Sequence, residues 1–172
     1  MLGATFLPFH ISRYGKRNVK RFSRSFDLAE SIGLVCSYKT MVEGSLIDEF
    51  QKKLRSLDKK VSILVFHENS SKTEEISNSS FSKRDLNFFG IWTKPKVKDF
   101  TARKFDYLIN LDLCSNIFVH SVLAESNAHC RVGVYADSSR AFLELMVKPQ
   151  QKSLTYFLEA VEEMLIKIRN DE

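Results

Sequence analysis

The chain has 172 residues, 44% hydrophobic and 27% charged, with a formal net charge of +5. This is the length and composition of about one ordinary globular domain, and three cysteines, an odd number, argue against a disulfide framework. Arg13, Lys16, Arg17, Lys20, Arg21 and Arg24 all precede the first acid, and the remainder carries 20 basic against 21 acidic residues, so the whole positive excess sits in the N-terminal arm.

The opening MLGATFLPFHIS is apolar but has no basic segment before it. It contains Pro8 and runs directly into positive charge, the reverse of a secretory signal. No apolar run approaches the roughly 18–20 residues of a membrane-spanning helix. The expectation is a cytoplasmic protein without a transmembrane segment.

Residues 18–30 space Val19, Phe22, Phe26 and Ala29 three or four apart, which predicts a helix with one apolar stripe. SIGLVCSY (31–38) reads as a buried strand, with Gly44 between it and a helix over 43–57. Asp48 and Glu49 support that helix through i,i+4 pairing with Lys52 and Lys53. KVSILVFHEN (60–69) is a second buried-type strand. The polar stretch 70–85 has no periodicity and reads as a surface excursion. LNFFGIW (86–92) is a strand or turn, and Pro95 opens a short helix. FDYLINLD (105–112) predicts a strand, 115–126 a helix with Ser115 as N-cap, CRVGVYAD (130–137) a strand, and 141–147 a short strand. A final helix over 153–168 lines up Leu154, Phe157, Leu158, Val161, Leu165 and Ile168, with Ser153 as cap.

Strands that are apolar throughout, alternating with amphipathic helices, predict a parallel sheet covered on both faces. The expected fold is α/β: a three-layer, mostly parallel, Rossmann-like sheet of five or six strands with helices on both faces, preceded by a basic N-terminal helix. The expected organisation is a basic arm and helix over 1–30, then one Rossmann-like domain over 31–172.

KFDYLINLD, the helix after it, and AESNAHCRVGVYAD resemble a family of small uncharacterised Bacteroidetes proteins, and the likeness extends to DLNFFGIW and the LMV strand. That resemblance implies a basic N-terminal helix leading into a Rossmann-like domain. The same strand–helix–strand piece resembles the N-terminal half of heptosyltransferases, through Asp106, Leu108, Ile109 and Asp112 in the first strand and Arg131, Val132 and Gly133 in the second. This second resemblance implies a sugar-transferase-like half with its site at the strand ends.

The six glycines form neither G-x-G-x-x-G nor a Walker loop, so no cofactor is expected. Cys114, His120, His129 and Cys130 have the wrong spacing for a zinc site, and no metal is expected. In open parallel sheets ligands bind beyond the carboxyl ends of the strands. Those ends carry Tyr38, Lys39, His67, Glu68, Asp112, Tyr135 and Asp137. Of these, His67, Glu68 and Asp112 are the candidate catalytic group, with His67 as general base and Asp112 orienting it. Polar residues also end buried strands simply because the chain turns through solvent there.

The six cations of the arm, interleaved with Tyr14, Phe22 and Phe26, suit a phosphate backbone. Beside the apolar start they suit an anionic membrane surface. They also suit a solvated helix face. The function expected is a non-enzymatic binding module whose arm contacts RNA or a ribosomal particle. The alternatives are a ligand-binding or degenerate sugar-transferase-like domain working at the strand ends, and a peripheral membrane or complex-assembly protein. Oligomeric state is not readable from the sequence.

Overall fold

The computed structural model describes residues 3–15, 19–37, 40–68 and 79–168. Lys16, Arg17, Tyr38 and Lys39 lie outside the described residues.

Six strands, β1 (Ser31–Cys36), β2 (Lys60–His67), β3 (Ser80–Ser82), β4 (Tyr107–Asn110), β5 (Cys130–Val134) and β6 (Leu145–Val147), form one sheet. Every pairing is parallel, in the order β3-β2-β1-β4-β5-β6. This is the doubly wound order, and the direction of winding reverses between β1 and β4.

The helices are α1 (Leu7–Gly15), α2 (Met41–Ser56), α3 (Pro95–Ala102), α4 (Ile117–Glu125) and α5 (Leu154–Lys167). Alternation along the strands assigns them to faces. Ile32, Leu34, Tyr107 and Ile109 pack with Phe50 and Leu54 of α2 and Phe157 and Val161 of α5. Val35 and Leu108 pack with Val97 and Phe100 of α3 and Val119 and Leu123 of α4, and Ile11 and Tyr14 of α1 join that second core. No described helix is long and apolar enough to cross a membrane.

The fold class matches the expectation, and three local readings need correction. First, the polar stretch hides β3. Phe81, 1% exposed, meets Phe66 and Trp92 edge-on with ring centroids 5.3 and 5.1 Å apart. An edge strand of three residues shows a single inward side chain, too few for a period.

Second, the helix before the sheet lies at Leu7–Gly15, not over 18–30. The described residues 19–25 are an extended strap across the amino ends of β4 and β5, followed by a turn over 26–28. Tertiary partners outweigh the helical spacing there. Phe22 N donates to His129 O at 3.1 Å, Arg24 O accepts from the Tyr107 hydroxyl, and the Phe22 ring stacks on His129 at 4.3 Å.

Third, capping differs. Asn116, not Ser115, caps α4, accepting from Phe118 N and Val119 N at 3.0 and 3.4 Å. Gly44 lies inside the first turn of α2, whose capping box is Thr40 with Glu43. Ser153 stands at the N-cap of α5 without a side-chain cap bond.

Candidate functional site

A cleft of about 580 Å³ opens over the carboxyl ends of β1, β2 and β4. His67, Glu68 and Asp112 all line it, so the strands bring the three candidates to one crevice. Its position follows from topology: β1 and β4 are neighbours whose crossovers run in opposite directions, which opens a gap above their carboxyl ends.

The floor of the cleft is a hydrogen-bond network centred on Ser37. Ser37 N donates to Asp112 Oδ1 at 2.6 Å, and Ser37 Oγ donates to Asp112 Oδ2 at 2.7 Å. Asn116 Nδ2 donates to Ser37 Oγ at 3.1 Å, and Asp112 N donates to Asn110 Oδ1 at 3.1 Å. These bonds join the end of β1, the end of β4 and the cap of α4. Asp112 is therefore held as a clamp between strands, 8% exposed, with both carboxylate oxygens engaged.

Two cysteines stand at the cleft, and burial separates them. Cys36 ends β1 and is buried; desolvation, reinforced by Asp112, pushes its thiol far up. Cys114 is exposed on the loop between β4 and α4. Lys152 brings a cation to the rim from just before α5. Ser37, Asn116, Cys114 and Lys152 are the lining residues that strand-end reasoning did not assemble. The N-cap role of Asn116 was the one signal in the sequence for any of them.

Among the described cations of the arm, two are turned into the protein. Arg21 donates to the carbonyls of Ser126, at 2.9 Å, and Ala128, and lies 3.9 Å from Glu144. Burial, with Arg131 nearby, lowers its pKa to about 10. Arg24 pairs with Asp106 at 3.0 Å. Arg13 and Lys20 are exposed, and Lys16 and Arg17 lie outside the described residues. Among those described, no group of three or more His, Cys, Asp or Glu could hold a metal ion.

Six parallel strands wound both ways from β1 and β4, with an open crevice at the reversal, define a Rossmann-like α/β protein. The chain belongs to a family of unknown function, DUF6913, whose family model matches residues 10–168. No curated protein and no solved structure gives a match, so neither comparison adds support to the heptosyltransferase likeness.

Proposed function

We propose that this protein is a small-molecule binding domain that takes a polar ligand in the crevice between β1 and β4. The observation that carries this reading is the open 580 Å³ cleft floored by the Ser37–Asp112–Asn116 network. Its volume is that of an ordinary ligand pocket, and its floor is preorganised by hydrogen bonds among residues just past β1, just past β4 and at the cap of α4. His67 and Glu68, at the end of β2, line the cleft at positions from which they can contact the ligand and exchange a proton with it. The test is a thermal-shift screen of the full chain against nucleotides and sugar phosphates, paired with alkylation of Cys114, which sits in the cleft wall. A ligand should raise the Tm saturably and slow that alkylation. A panel that moves neither overturns the reading.

A second reading, attachment to an anionic membrane surface, is favoured by one surface feature. Phe6, Phe9, Phe88 and Phe89 are exposed, Phe9 by 63% and Phe89 by 62%. Phe6 and Phe88 lie 6.3 Å apart and Phe88 and Phe89 5.5 Å. The turn carrying Phe88 and Phe89 is held rigid by Asn87 Oδ1, which accepts from Phe89 N and Ile91 N. Arg13 lies one helical turn from Phe9, which complements acidic headgroups. Flotation with phosphatidylserine vesicles, lost in a Phe88→Ser/Phe89→Ser double variant, supports this reading; absence of flotation overturns it. RNA contact has less support from the geometry, since Arg21 and Arg24 are engaged internally. It would rest on Arg13, Lys16, Arg17 and Lys20, and a nuclease-sensitive pull-down lost on changing those four to Gln tests it.

A further inference from the structure

The crevice has a second lobe. A cavity of about 290 Å³ lies on the other side of the β4–α4 loop, over the carboxyl ends of β4 and β5. It shares Asp112, Cys114, Ser115 and Lys152 with the larger cleft. Two side chains deep in it stand out. His120, one turn into α4, is 8% exposed, and Ser139, in the 3-10 turn Asp137–Ser139, is 4% exposed. Neither side chain makes a hydrogen bond among the described residues, and both line this lobe; the sealed, unpaired side-chain atoms among those residues are Ser126 Oγ and His129 Nδ1 instead. The polar atoms of His120 and Ser139 therefore keep access to the cavity, where a ligand can pair with them. The His120 ring is kept in place by Phe142, centroid to centroid 4.8 Å.

The remaining polar lining is rich in donors. Lys152, Ser115 and Ser138 line the lobe, while the Tyr135 hydroxyl is engaged with Asp137 and Arg140. Its one carboxylate, Asp112, already accepts from Ser37 through both oxygens. Asp137 lines neither cleft and pairs with Arg140 at 3.2 Å. One cation, several hydroxyls and an imidazole around a volume of this size match a tetrahedral oxyanion.

We propose that the lobe formed by His120, Ser139, Ser138 and Lys152 is a phosphate subsite, holding the phosphate group of the small molecule whose remainder lies in the larger cleft. This rests on the ligand-binding reading above and adds the ligand's chemical class. Burial holds the His120 imidazole pKa below its ordinary value, so it is neutral at pH 7. An anion placed against it favours the imidazolium, so binding takes up a proton and tightens as pH falls. The other titratable groups facing the lobe are Asp112, Cys114, Tyr135 and Lys152.

The test uses inorganic sulfate, whose charge does not change near neutrality, and phosphate, added to the full chain at constant ionic strength. The readout is the His120 ring resonance. Both anions should raise its pKa by about 0.5 unit or more, whereas acetate should shift it less and chloride not at all. An acetate effect equal to that of sulfate would reassign the subsite to carboxylates and overturn the phosphate class. Lys152→Gln, at an exposed position, and Ser139→Ala should each weaken sulfate binding about fivefold or more. His120→Gln removes the readout group, so the Lys152 variant keeps the test valid if that protein fails to fold. A His120 resonance indifferent to both anions overturns the subsite, even where a ligand of the larger cleft still slows Cys114 alkylation. A sulfate effect with no such ligand leaves the subsite standing and removes the larger reading instead.

Discussion

Asp106 ties the arm to the sheet, and removing its carboxylate gives the sharpest test of the strap. Oδ2 accepts from Glu30 N, Ser31 N and Ser31 Oγ at 3.0, 3.0 and 2.9 Å, while Oδ1 pairs with Arg24 at 3.0 Å. Asp106→Ala leaves three donors and a guanidinium without their acceptor. Truncating one partner of a buried charged pair costs about 3–5 kcal/mol, and charged hydrogen bonds about 1.5–3 each without simple addition. Arg24 is 38% exposed in its side chain, so water replaces part of what is lost, and the expected cost is about 3 kcal/mol. For a chain of this size that lowers the Tm by on the order of 10 °C. Urea unfolding followed by the fluorescence of Trp92, the single tryptophan and 1% exposed, reads the change directly. Lys60→Ala is the control: it breaks a pair whose side chains are 81% and 73% exposed, and should cost less than about 0.5 kcal/mol. Burial alone would raise the Asp106 pKa, but the hydrogen bonds from Ser31 and Glu30, with Arg24, outweigh it and hold the group below the carboxylate range. Its contribution is therefore full above the ordinary carboxylate pKa of about 4 and disappears as pH falls through the depressed value. The difference between wild type and Asp106→Ala should be flat from neutrality to about pH 5 and shrink in acid. An Asp106→Ala midpoint no lower than that of Lys60→Ala would refute the strap as a structural tie.

In native protein one thiol, Cys114, should react promptly with a disulfide reagent. Cys36 and Cys130 are buried, with Cys130 pushed up to about 11 chiefly by desolvation, and should react only on unfolding; three fast thiols would contradict the packing. Burial lowers the His129 pKa, and Arg24 adds to the lowering while Asp106 opposes it. Arg24→Ala should therefore raise the His129 pKa in an NMR titration, and a fall would contradict the geometry. Gly90 has φ +76°, and an added Cβ would lie 2.7 Å from Gly3 O. Gly90→Ala should cost about 1–3 kcal/mol and expose α1 to protease; an unchanged digest would show that the turn does not hold the N-terminal helix.

The layers of the fold were legible because burial writes its own pattern. Ile32, Leu34 and Val35 in β1 and Leu108 and Ile109 in β4 are apolar on both faces, as strands covered on both sides must be. Phe50, Leu54, Phe157 and Val161 recur at helical spacing because one stripe of each helix meets the sheet. The carboxyl strand ends were legible as the place where ligands bind in an open parallel sheet, whereas the reversal between β1 and β4 that opens the crevice needed the strand order. Which polar residues the fold ties down at that end was not legible. Asp112 looks like any strand-end carboxylate until Ser37 is found on both of its oxygens. His120 looks like a core histidine until the cavity beside it is seen to leave it without a partner.

The basic arm shows why charge count and charge exposure differ. A guanidinium can be satisfied by backbone carbonyls or by one carboxylate, and a sequence does not distinguish that from a guanidinium facing water. Arg21 meets two carbonyls at the amino end of β5, and Arg24 meets Asp106 at the start of β4. Once those contacts form, Phe22 N reaches His129 O, a carbonyl no helix could have offered it. The apolar positions that mimic a helical stripe, Phe22 and Phe26, then separate in role: Phe22 stacks on His129 at the sheet end, while Phe26 joins the core beneath α2 and α5. The same arginines that suggest a nucleic-acid surface thus fasten the N-terminal segment across the sheet, opposite the end where the crevice opens. The crevice and the anchorage of the arm occupy opposite ends of β4. Strap variants should therefore change stability while leaving sulfate binding at the His120 lobe intact, and coupled losses in Arg24→Ala would show that the two ends do not act separately.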